Sequence, residues 1–147
     1  MTPYEKYARA RGYMTAALER LYRLEDSHAA PAEIETANRA YSRRRAECYA
    51  AGRELASAID AKMKEAVPAL LKQYAGKPAT DCTRESFIWE LESRIDAGAE
   101  LEFQFCATPG GEVIRAEIPV ARYEVYLTAR VQVVDENGCF ERKDEQK

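Results

Sequence analysis

Residues 31–66 form an unbroken run rich in Ala, Arg and Glu, with larger apolar residues spaced sparsely and no helix-stopping element before Val67-Pro68. At about 1.5 Å of rise per residue this predicts a helix of roughly 54 Å. That is more length than the chain's own globule needs, so everything else must pack along it. Ile34, Ala37, Tyr41, Cys48, Leu55, Ile59, Ala66 and Leu70 fall on one stripe of a 100° wheel, in steps of three, four or seven. The stripe is mostly small, and Gly52 at its edge suits close approach of a partner helix, which offsets the roughly 1 kcal/mol a glycine costs inside a helix.

A first helix is expected to precede it. Thr2-Pro3-Tyr4-Glu5 reads as a capping box with proline in the first helical position. Tyr4, Tyr7, Met14, Leu18, Leu21 and Tyr22, continuing to Leu24, line one broad stripe. The polar segment Glu25–Ala30, followed by Pro31, then predicts an antiparallel helical hairpin. Val67-Pro68 is expected to end or kink the long helix, with a further turn or two to Tyr74 and a close at Gly76-Lys77-Pro78.

A third helix is expected from near Thr83 to Ala97, with Phe87, Ile88, Leu91 and Ile95 inward and Trp89 off that face. After Gly98 the period falls from 3.6 to 2: Leu101, Phe103 and Phe105 alternate with Glu100, Glu102 and Gln104. A turn at Thr108-Pro109-Gly110-Gly111 leads into a second strand, Glu112–Ile118. The alternation from Tyr123 to Val133 predicts the longest strand, with Val125, Leu127 and Ala129 inward. Asn137-Gly138 then turns the chain into a short last strand, Cys139–Arg142. The expected fold is α+β: a long antiparallel helical hairpin over 1–76, then over 77–147 a third helix packed on a three- or four-stranded antiparallel meander, with a charged tail at 143–147. These are expected to form one continuous domain.

Charge is nearly balanced over the whole chain, at −3, but unevenly placed: residues 1–80 carry 14 Lys/Arg against 10 Asp/Glu, and residues 81–147 carry 8 against 15. That argues against a polycation for nucleic acid and against a disordered acidic chain. Cys48, Cys82, Cys106 and Cys139 form no C-x-x-C pair, and His28 is the sole histidine, so neither a metal site nor a cofactor is expected. With no apolar N-terminal leader and no apolar run long enough to span a bilayer, free thiols in the cytoplasm are the expectation.

Three groups of residues are candidates for function. Arg39, Arg43 and Arg53 on the long helix, with Arg44 and Arg45 flanking its stripe, present a basic face suited to phosphates. Spacing also pairs Glu35 with Arg39, Arg43 with Glu47 and Asp60 with Lys64, which favours a solvated, balanced face. Glu100, Glu102 and Glu124 belong to a carboxylate-bearing sheet face, interspersed with Arg115, Arg122 and Arg130, that would attract a basic partner. Trp89, Tyr126 and Tyr49 fall outside their elements' apolar stripes, as interface aromatics do. Cys82, just ahead of the third helix, lacks an accompanying base, and no nucleophile, base and orienting group can be named together.

The function expected is therefore that of a small, non-catalytic intracellular regulator that binds a protein. Inhibitor or accessory proteins of phage and other mobile elements share its size and its lack of a catalytic set. Nucleic-acid binding through the long helix is the alternative. A homodimer through the hairpins is expected, because Ala-rich seams bury little on their own.

Overall fold

The computed structural model describes residues 1–95, 101–121 and 124–142. Three helices, α1 (Pro3–Asp26), α2 (Pro31–Tyr74) and α3 (Asp81–Ile95), precede four strands, β1 (Glu102–Thr108), β2 (Gly111–Ala121), β3 (Glu124–Leu127) and β4 (Val131–Val134). The fold is α+β with an antiparallel sheet, as the periodicities require. It divides into two compact units: Met1–Leu55 with the described part of Val120–Glu124, and Ala56–Pro119 with the described part of Val125–Lys147. The α2 helix is continuous through both, so roughly its last five turns belong with the sheet.

In the first unit, Thr2 caps α1 with the full capping box: its hydroxyl accepts from the Glu5 amide, and the Glu5 carboxylate accepts from the Thr2 amide. Tyr4, Tyr7, Arg11, Met14, Leu18 and Leu21 are buried or half-buried at alternating steps of three and four, the spacing of a coiled-coil seam. Arg11 is the member hydropathy could not reveal. Tyr22, expected on the stripe, is exposed, because it lies one position past the seam residue Leu21 and so turns 100° away. The antiparallel register is marked by Lys6 pairing with Glu54 at 3.2 Å and by the Arg44 guanidinium 4.7 Å over the Tyr13 ring. Cys48 is fully buried, and burial pushes its thiol pKa up, against the opposing effect of Arg11.

The turn between α1 and α2 is a Schellman motif. The Ala29 amide donates to the Leu24 carbonyl and the His28 amide to the Glu25 carbonyl, with His28 in the left-handed region at φ 54°. A histidine held there is strained by about 1–2 kcal/mol, whereas glycine gives back about 0.5–1 kcal/mol through its looser unfolded chain. His28→Gly is therefore expected to stabilise the protein by roughly 0.5–1 kcal/mol, read as a rise in the urea midpoint. An unchanged or lower midpoint would count against this account of the turn.

In the second unit, α2 does not end at Pro68 but passes through it. The lost amide and ring clash cost about 3 kcal/mol. Val67, Leu70 and Leu71 around the proline are all essentially inaccessible, and their burial at about 2 kcal/mol each outweighs that cost. The close comes at Gly76, in the left-handed region at φ 77°. The start of α3 lies earlier than expected: Thr80 is the cap, exchanging hydrogen bonds with Thr83, the amide of each donating to the other's hydroxyl at 2.7 and 3.2 Å. Cys82 thus sits inside the first turn of α3 rather than ahead of it, and the expected residues Asp96 and Ala97 lie outside the described part.

The sheet is centred on β2. It pairs along one side with β1, from Glu102↔Glu117 to Thr108↔Gly111, and on the other with β3 and β4. The longest strand is β2, not the expected Tyr123–Val133, which is split at Thr128–Arg130. Side chains replace the ladder there. The Thr128 hydroxyl accepts from the Ala116 amide at 2.7 Å while its own amide donates to the Ala116 carbonyl, and the Ala129 amide donates to the Asp60 carboxylate at 2.7 Å. Burying Thr128 also fixes the phase of β3: Val125 and Leu127 are exposed and Tyr126 is half-buried, the reverse of the expected alternation. Of the expected last strand only isolated bridges remain, because Cys139 and Phe140 lie between β4 and the segment after α2. The Phe140 amide donates to the Lys77 carbonyl, and the Glu141 amide to that of Val133.

Candidate functional site

The α3 helix buries Phe87, Leu91 and Ile95 and anchors itself by two polar contacts. The Arg84 guanidinium clasps Glu112 of β2 in a two-pronged pair, Nε to Oε1 at 3.0 Å and Nη2 to Oε2 at 2.7 Å, and Glu112 keeps that guanidinium firmly charged. Lys62 of α2 donates to the Ile95 carbonyl at 3.0 Å, placing a cation at the negative end of α3. The helix is thereby tied near its start to β2 and at its end to α2.

Trp89 lies on that outer face, two residues from both Phe87 and Leu91, and is 70% exposed. Around it on the helical surface stand Glu85, Ser86, Glu92 and Ser93, all exposed, at spacings of three and four. A large flat ring fixed to an anchored helix and rimmed by carboxylates and hydroxyls suits a partner with an apolar slot bordered by basic groups.

The other candidates are dispersed. Tyr49 is half-buried beneath the Arg45 guanidinium, 4.7 Å from its centroid, and its hydroxyl accepts from Arg45 at 3.2 Å. Tyr126 is half-buried, as the phase of β3 dictates. Glu102 is exposed on β1, Glu100 lies outside the described residues, and nothing is described of the Glu124 side chain. Of the strand carboxylates that are described, Glu112 is held by Arg84, and Glu117 lies 3.5 Å from Arg115. On the long helix, Arg39 pairs with Glu35 and Arg44, rather than Arg43, with Glu47, while Arg43 and Arg53 are exposed. Asp60 faces the Ala129 amide and not Lys64.

Arg84–Glu112 was not foreseeable by spacing, since the partners are 28 residues apart and on different elements. Val125 and Leu127 are inward only if the alternation runs unbroken through Thr128, and the strand stops there, leaving both exposed.

Tyr74 is buried, which raises its phenol pKa, reinforced by the nearby Glu90 carboxylate. Tyr13 is shifted the other way, lowered by its hydrogen bond from Arg9 and that residue's charge. Both serve packing or surface contacts within the fold. Among the described residues no group of three or more His, Cys, Asp or Glu side chains is placed to hold a metal ion. All four cysteines are free thiols. Among the described residues no helix is long and apolar enough to cross a membrane. An open groove of about 450 Å³ lies at the turn of the hairpin, lined by Leu21, Glu25, Pro31, Ile34, Glu35 and Asn38. Comparison with protein-family models, with curated proteins and with solved structures finds no match.

Proposed function

We propose that the protein is a non-catalytic regulator that binds another protein through the outer face of α3. Trp89 is the anchor, with Glu85 and Glu92 as its charged rim, and the protein acts by occluding or bridging its partner. The single observation behind this is a tryptophan that is 70% exposed on a helix tied from behind by Arg84 and Lys62. Tryptophan is the residue most often found carrying interface energy, and here no conformational change is needed to present it. The free thiols support a reducing, cytoplasmic setting.

Affinity capture from lysate of the source cells, with and without nuclease, tests this when run on the wild type beside Trp89→Ala. A protein retained after nuclease and weakened roughly 30-fold or more by Trp89→Ala is the expected result, since a truncated hot spot costs about 2 kcal/mol or more. Capture indifferent to Trp89 would refute the assignment. Capture that disappears with nuclease, and with joint charge reversal of Arg39, Arg43 and Arg53, would transfer the function to nucleic-acid binding on the long helix.

A further inference from the structure

The two edges of the sheet are treated very differently by the fold. On one side β3 is only four residues long, the 128–130 interruption follows it, and the outer edge of β4 is occupied by the Cys139–Glu141 segment. On the other side lies β1, paired without a bulge over seven residues with β2 and, among the described residues, with no other strand. It carries none of the usual edge protections: no lysine, no proline, and a single charge, Glu102, at its very start.

Which of its main-chain groups face outward follows from the register. Ala116 directs both its N–H and its C=O at Thr128, away from β1. Its antiparallel partner Phe103 therefore belongs to a non-hydrogen-bonded pair and turns its own N–H and C=O outward. By alternation Phe105 and Ala107 do the same, which agrees with the tight Pro109-Gly110 link that makes Thr108 and Gly111 a bonded pair. Among the described residues, no hydrogen bond from another segment reaches these outward groups.

We infer that this edge is a self-association site, and that its occupant is the β1 strand of a second copy, antiparallel about a twofold axis through Phe105. In that register Phe105 faces its own symmetry mate and Phe103 faces Ala107 of the other copy. All three outward residues on each strand are satisfied, by about six new main-chain hydrogen bonds. Charge favours the same arrangement. Each Glu102 lies opposite Thr108 of the other copy, so the two carboxylates stand at opposite ends of the ribbon, roughly 20 Å apart and beyond a Debye length of about 8 Å. Phe105, half-buried at the edge and in ring contact with Phe87 and Phe140, adds its remaining apolar area at the centre. This inference is independent of the role given to Trp89 and places the dimer contact on the sheet rather than on the hairpin.

The test is the mass of the full chain in solution from roughly 1 µM to 1 mM, the range in which modest interfaces form. Wild type is expected to rise from one chain towards two. Ala107→Pro is expected to remain at one chain with its far-UV circular dichroism intact, because the amide it removes faces outward and serves no bond to β2. A wild type that stays at one chain overturns the inference, as does a folded Ala107→Pro that dimerises as strongly as wild type. Should Ala107→Pro fail to fold, Thr108→Glu decides: it sets like charges opposite Glu102 at both ends and is expected to weaken the dimer roughly ten-fold. Adding Glu102→Lys to it is expected to restore the affinity. A dimer unmoved by Thr108→Glu, or not rescued by the second change, refutes this pairing.

Discussion

Gly111→Ala is expected to destabilise the sheet-bearing unit by at least about 4 kcal/mol, while Gly110→Ala, one residue earlier, is expected to be harmless or to stabilise by up to about 1 kcal/mol. Gly111 has φ 130°, and a methyl there would stand 1.9 Å from the Val134 carbonyl oxygen and 2.7 Å from that of Asp135. Both obstacles are main chain, so no rotamer change relieves them. The backbone strain alone is worth about 1–3 kcal/mol. Relief would draw β4 from β2, at the expense of the pairs Glu112↔Val134 and Ile114↔Val131 and of the complete burial of Val133 and Val134. Gly110 has open space around it and no left-handed backbone, so alanine there only narrows the unfolded ensemble. Urea melts of the two variants beside wild type check the contrast. Equal midpoints for the two alanine variants would mean that β4 does not pass Gly111 as closely as described.

That contrast also shows where sequence reasoning reaches its limit. The four residues Thr108–Gly111 read as a turn, and the link between β1 and β2 does lie there. Why the second glycine is required depends on β4, which arrives some twenty residues later, and no local pattern encodes that approach. The features that were legible are those set within a few residues. The capping box at Thr2, the α1 seam apart from Arg11 and Tyr22, the inward face of α3 and the existence of β1 each follow from neighbours three, four or two positions away.

Features that depend on distant partners depart from the local pattern for identifiable reasons. At Pro68 the local cost favours an end or a kink, and the expected further turns to Tyr74 do form, without a break, because the side chains around the proline are buried. Apolar and polar residues alternate on both sides of Thr128, which locally favours one long strand. The Thr128 hydroxyl and the Asp60 carboxylate, 68 positions earlier in the chain, take over the ladder's amides instead. The Arg84–Glu112 pair likewise joins different elements 28 positions apart, so no local spacing announces it. Trp89 was legible because position on a helix is local: two steps from inward residues on either side is outward whatever the helix packs against.

Phe140→Ala is the second change with a large expected effect, about 3–5 kcal/mol. Phe140 has no accessible surface and stacks on Phe87 at 5.2 Å, with Tyr74 at 5.1 Å and Phe105 at 6.3 Å, so rings from α2, α3, β1 and the segment after β4 meet at this one side chain. Its main chain is equally committed, for its amide donates to the Lys77 carbonyl and its carbonyl accepts from the Gly76 amide. Truncation leaves a cavity walled by three aromatic rings that cannot all close in, since Tyr74 and Phe87 are fixed on helices. A domain of this size has only about 5–15 kcal/mol in hand. With a urea slope of about 1–3 kcal/mol per molar, the loss corresponds to a fall of roughly 2 M in the unfolding midpoint. Phe140→Leu, which keeps most of the volume, is expected to lose less than half as much. A small shift for Phe140→Ala would mean that α3 and the sheet are held chiefly by Arg84–Glu112 and Lys62–Ile95. The same melt on Arg84→Ala would then show the larger fall, and the support behind Trp89 would be ionic rather than aromatic.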